Sequence, residues 1–171
     1  MKPAVERPLA VLDTNVALAL WLFADAKLET LRQAIDAGDL LWLCSPAMLQ
    51  ELRREVRPER CVRYSTEPDT VLQAIEQRVV AATVVADEGA GVLDWPRLRC
   101  TDSDDQKFVD VALRHRASWL LTRDRAVLKL ARRALPYGVV IQPPQSWVSS
   151  SGAHKKGRPE PPWLQACTTH R

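Results

Sequence analysis

Four acidic residues stand where this chain could do chemistry. Asp13 ends a short apolar run, Leu9 to Leu12, and is followed by Thr14 and Asn15, residue types that start helices. Asp124 follows Ser118 to Leu121 through Thr122 and Arg123. Asp105 closes the run Asp102-Ser103-Asp104-Asp105 and shares a helical face with Phe108, Val109 and Ala112. Glu51 lies on the flank of the stripe Met48, Leu49, Leu52 and Val56. Each has an ordinary explanation. Asp13, Asp124 and either Asp102 or Asp104 are natural helix caps. Glu51 reads equally as a solvated surface acid, and Glu55 competes for any special role.

Taken together the four suggest more. Two directly follow apolar runs of strand type, and Asp105 sits in a helix's first turn, where the macrodipole favours an anion. If the strands are parallel, such loops share one edge of the sheet, where open α/β sheets bind ligands. Crowded carboxylates repel unless a cation or a proton intervenes. Four of them without histidine or cysteine suit a hard cation, Mg²⁺ or Mn²⁺. A cation so held can activate water and steady a leaving oxygen, which is what phosphodiester hydrolysis needs. Asn15 and Thr122 offer an amide and a hydroxyl to orient the acids.

The elements that must position these groups alternate. Strands are expected at Leu9–Leu12, Leu40–Cys44, Arg97–Cys100, Ser118–Leu121 and Gly138–Ile141, the Arg97–Cys100 segment having the weakest pattern. Helices are expected from Thr14 to Phe23, from Asp25 to Ala37 with Gly38 ending it, and from Ser45-Pro46 to Val56. Others follow from Asp69 to Val85, from the Asp102–Asp105 run to Arg116, and from Asp124 to Leu135. Residues 57–68 and 86–96 read as loops. The expected fold is α/β, a three-layer α/β/α sandwich around a central parallel sheet of about five strands. It occupies residues 1–142. Residues 143–171 are rich in proline, serine and basic groups and read as a flexible tail, in which Trp147 and Trp163 could dock on the domain or a partner.

The totals set bounds. The chain has 171 residues and 24 basic against 21 acidic side chains, net +3, too mild a charge to announce nucleic acid. Four scattered cysteines without a C-x-x-C pair argue against a zinc site or a disulfide framework. No apolar stretch approaches a membrane span, and the expected setting is cytoplasmic. There is no G-x-x-x-x-G-K-[ST] or G-x-G-x-x-G loop and no G-x-S-x-G elbow. The three histidines lie near a helix end or in the tail, away from the acids. Arg53, Arg54, Arg123 and Arg125 flank the acids and could hold phosphates, although any one of them reads equally as an ordinary solvated side chain.

With these residues in hand, the chain resembles the PIN-domain nucleases, and within them most the toxin components of bacterial toxin–antitoxin pairs. The matching pieces are Leu12-Asp13-Thr14-Asn15-Val16, Ser45 to Leu52, Asp102 to Val109, and Leu120 to Asp124, in the family's order. The resemblance covers about residues 8–142. It implies that Asp13, Glu51, Asp105 and Asp124 gather around one or two Mg²⁺ or Mn²⁺ ions and cleave single-stranded RNA. It further implies a small inhibitory antitoxin and a homodimer. Many relatives carry another acid where this chain has Ala126, a departure that weakens a second metal position. The competing readings are a non-catalytic RNA-binding or regulatory PIN-like domain, a DNA nuclease of the same chemistry, and a phospho-acceptor receiver domain. The last wants a lysine near the end of the final strand, where this chain has none.

Overall fold

The computed structural model describes residues 7–81 and 98–148. Within them lie four parallel strands, β1 (Leu9–Leu12), β2 (Leu41–Leu43), β3 (Trp119–Leu121) and β4 (Val140–Gln142). Their order across the sheet is β2-β1-β3-β4, with Val11 beside Leu43 and Leu120, and Leu120 beside Ile141. The strands are short apolar runs because helices cover both faces and no solvent face needs polar residues. Val11, Leu12, Trp42, Leu120 and Leu121 are buried to 2% exposure or less.

The helices are α1 (Thr14–Trp21), α2 (Glu29–Asp36), α3 (Pro46–Glu55), α4 (Pro58–Val62), α5 (Pro68–Ala81), α6 (Gln106–Arg114), α7 (Arg125–Leu128) and α8 (Ala131–Ala134). Helix α1 packs on α3 and α5, while α6 lies against β1 and β3. The result is the expected α/β/α sandwich. Local chemistry sets the ends of these helices. Ser45 caps α3 by accepting from Met48 N–H at 3.3 Å, with Pro46 in the first turn. Gly38 follows α2 at φ +75°, a conformation that costs glycine little.

Several boundaries differ from expectation. The fifth strand is absent at Leu98–Cys100: Cys100 N–H donates to the Gln106 side-chain oxygen at 2.7 Å, and Leu98 C=O accepts from the same amide at 2.9 Å. One side chain thus satisfies backbone groups that a ladder would otherwise use. Residues 57–68 are not all loop. Pro58 starts α4, which drives Cys61 into the core, so an arginine-rich segment folds around one buried thiol. The helix expected from Asp124 to Leu135 breaks into α7, α8 and a 3₁₀ turn at Leu135–Tyr137. The chain also keeps packing beyond Gln142. Trp147 is 6% exposed and meets Trp119 edge-on at 6.0 Å, and a 3₁₀ turn spans Pro144–Ser146. The expected loop at 86–96, the end of the helix toward Val85, Arg97 and residues 149–171, with Trp163, His154 and His170, lie outside the described residues. No helix among the described residues is long and apolar enough to cross a membrane.

Candidate active site

The strand order puts a reversal beside β1: the chain passes from β1 to β2 on one side and later enters β3 on the other. Such a reversal opens a crevice beyond the carboxyl ends of the two strands. Asp13 sits there, 5% exposed, its N–H donating to Leu121 C=O at 3.1 Å. Its Oδ1 accepts from Asn15 N–H at 2.8 Å and so caps α1. Its Oδ2 accepts from the Thr122 hydroxyl at 2.7 Å. Thr122 is wholly buried, and its Oγ1 also accepts from Asp124 N–H at 2.9 Å. One hydroxyl therefore ties the acid after β1 to the backbone of the acid after β3. Asp124 Oδ1 in turn accepts from Ala126 and Val127 N–H at 2.6 and 3.2 Å, capping α7. The cap reading thus holds for both aspartates, but each spends only one carboxylate oxygen on it.

Glu51 reaches the crevice from α3. The Thr14 hydroxyl donates to Glu51 Oε1 at 2.6 Å, one residue from Asp13. Glu51 Oε2 pairs with Lys107 Nζ at 2.5 Å. Glu55, its rival, turns away to Arg57 and Arg60 at 3.5 and 3.0 Å.

Asp105 stands at the N-cap of α6 but its side chain caps nothing. Asp102 instead accepts from Asp104 N–H at 2.9 Å. The Asp105 carboxyl is pushed up to about 6, first by burial and then by the charges of Asp124, Asp13, Asp102 and Glu51. The groups that act on it are the other three acids of the set and one neighbour, so residues distant in sequence converge here electrostatically. Cys100 belongs to the same surroundings. Burial pushes its thiol up, and Asp105, Asp124 and Asp102 add to that. Among the described residues no disulfide joins Cys44, Cys61 and Cys100, and burial likewise raises the Cys61 thiol.

Among the described residues, no three of the acid, imidazole or thiol side chains stand at the spacing that one ion requires. The other three acids act on Asp105 by charge, yet no three of the set close to that spacing. The residues nonetheless fit a divalent cation. The donors are hard oxygens: Asp13 is oriented through both carboxylate oxygens and Asp124 through one, and the Asp105 side chain has no hydrogen-bond partner among the described residues and a raised pKa.

A pH dependence follows from Asp105. Its folded pKa, about 6, exceeds the ordinary 3.8, so between those values the native state holds a proton that the unfolded chain has lost. This group therefore makes the metal-free protein more stable as pH falls through about 6, the reverse of a salt-bridged aspartate. Mn²⁺ affinity should fall over the same window, because proton and ion compete for one carboxylate. Melting curves and Mn²⁺ titrations across that window check both slopes, and Asp105→Asn should flatten them.

The PIN domain family model matches residues 9–126, which span all four acids. The chain belongs to the PIN domain family. Comparison with curated proteins and with solved structures finds no match. A PIN domain is a nuclease-type fold, and PIN nucleases typically use divalent metal ions.

Within this PIN domain the other sequence-selected residues fall as follows. Thr122 orients Asp13 through its hydroxyl, as its type suggested, whereas Asn15 acts through its backbone N–H and its side chain is exposed. Arg53 is engaged by Glu76 at 2.7 Å and Arg123 by Asp25 at 2.9 Å. Arg54 and Arg125 are exposed, with no side-chain partner among the described residues. His115, the histidine within the described residues, ends α6 at the end opposite Asp105. Sequence reading passed over Thr14 and Lys107, although both lie inside the matched segments. A hydroxyl next to Asp13 and a lysine two residues after Asp105 were the available signals.

Proposed function

We propose that this PIN domain is a Mg²⁺- or Mn²⁺-dependent endoribonuclease that hydrolyses RNA phosphodiester bonds. The observation that carries the reading is the Thr122 bridge between Asp13 and Asp124, with Asp105 raised first by burial and then by the charges around it. Asp13, Glu51, Asp105 and Asp124 would hold the cation. When bound, it supplies a water of lowered pKa and stabilises charge on the cleaved phosphate. The protein's own part is orientation. Thr122 and Asn15 fix both oxygens of Asp13, Thr14 fixes one of Glu51, and the α7 backbone fixes one of Asp124. Arg54 and Arg125, both exposed, would take the phosphates that the acids repel. Arg53 and Arg123 can do so only by leaving Glu76 and Asp25.

The biological role we propose is that of a cytoplasmic toxin, held by a small antitoxin protein and assembled as a homodimer. Its motifs resemble those of such toxins. The alternative is a non-catalytic RNA-binding or regulatory domain, favoured by Ala126 in place of an acid. The deciding experiment is incubation of purified protein with single-stranded RNA, and separately with DNA, in Mn²⁺, in Mg²⁺ and in chelator. RNA cleavage that needs the ion supports the nuclease. RNA binding without turnover in any condition favours the alternative, and cleavage of DNA alone would correct the substrate.

A further inference from the structure

We propose that Lys107 is an exchangeable counter-ion of the acidic centre: its ammonium holds Glu51 while no metal is bound and gives way when a divalent ion arrives. This rests on the metal-dependent reading above and adds a residue to it.

Lys107 lies in the first turn of α6, two residues after Asp105. A cation there opposes the helix macrodipole, so the position is not favoured by the helix itself. What draws it is the surrounding charge. Its Nζ pairs with Glu51 Oε2 at 2.5 Å, donates to the Asp104 carbonyl, and lies 5.0 Å from the centroid of the Phe108 ring. This ammonium is therefore a positive group held directly on an acid of the set.

The attachment of Glu51 makes exchange feasible. Its two oxygens are held by different partners, Oε1 by the Thr14 hydroxyl and Oε2 by Lys107. Releasing Lys107 frees one oxygen without casting the carboxylate loose. Both partners are also partly open to water, Lys107 at 24% and Glu51 at 32% exposure, so the ammonium can be rehydrated as it leaves. A part-exposed ion pair of this kind is worth little, and a divalent ion facing several carboxylates outcompetes one ammonium. The long lysine chain allows the departure without moving α6.

The test is Mn²⁺ affinity, measured by titration calorimetry on the whole chain. Lys107→Met should bind about tenfold more tightly than wild type, since nothing positive must be displaced. Glu51→Gln should cancel the gain, so that the double variant binds no more tightly than Glu51→Gln alone. Equal or weaker binding by Lys107→Met, with wild type binding normally, overturns the exchange and leaves the metal-dependent reading standing. Absence of Mn²⁺ binding by both proteins overturns both. A second measurement needs no variant. In ¹⁵N-lysine-labelled wild type, the Lys107 ammonium signal should shift or broaden as Mg²⁺ is added, and an unchanged signal in metal-loaded protein would sink the proposal.

Discussion

Asp13→Asn should lower metal-dependent RNA cleavage by on the order of 10³-fold while leaving the domain folded. The substitution keeps the shape of the side chain and can keep the cap, because an amide oxygen can still accept from Asn15 N–H where Oδ1 does now. It cannot keep the charge. Mn²⁺ affinity should therefore fall with activity. The amide's NH₂ would face the Thr122 hydroxyl, which now donates to Oδ2, so that hydroxyl must reverse or lose its acceptor. That costs about 1 kcal/mol, against which removal of one charge from a crowded set gives some relief. The Asp105 carboxyl should move back toward its ordinary value, since Asp13 is among the charges that raise it. Cleavage rates, calorimetric Mn²⁺ binding and thermal melts check the three parts. Cleavage within about threefold of wild type would remove Asp13 from the proposed machinery.

Thr122→Val should damage both stability and activity. Valine fills the same space in a wholly buried position but makes no hydrogen bond. Two bonds are lost together, the donation to Asp13 Oδ2 and the acceptance from Asp124 N–H. Leaving such groups unpaired costs about 2–3 kcal/mol in all, or roughly 5–10 °C in melting temperature for a domain of this size. Activity should fall a further 10- to 100-fold, roughly the effect of removing a group that orients a metal ligand. Thr122→Ser keeps the hydroxyl and should retain most of both. A Val variant that melts and cleaves like wild type would mean that the bridge between the two strand ends does not organise the site.

The fold was largely legible because its strands are short runs of apolar residues that end at identifiable caps. Leu9 to Leu12 needs both faces covered, and the helices on either side follow from that. The acids were legible because three of them stand at boundaries where the pattern changes. Their convergence rested on the strands being parallel, and the pairing of β1 with both β2 and β3 supplies that. Other features were less legible. The Thr14–Glu51 and Lys107–Glu51 contacts join different helices, and periodicity along one helix does not indicate the direction of a side chain on another. The segment Leu98–Cys100 resembled a strand because its alternative partner, Gln106, is an ordinary polar residue until it is placed beside it. Trp147 interrupts a polar, proline-rich stretch, which marks it as able to dock on the domain or a partner, but composition does not say that it packs on Trp119.

The most direct measurement is anomalous diffraction from crystals of the whole chain soaked in Mn²⁺. A manganese peak should stand between the carboxylates of Asp13, Asp105 and Asp124, with Glu51 turned toward it and the Lys107 ammonium withdrawn. Manganese bound elsewhere, or none beside these carboxylates at a concentration that supports RNA cleavage, would contradict this arrangement.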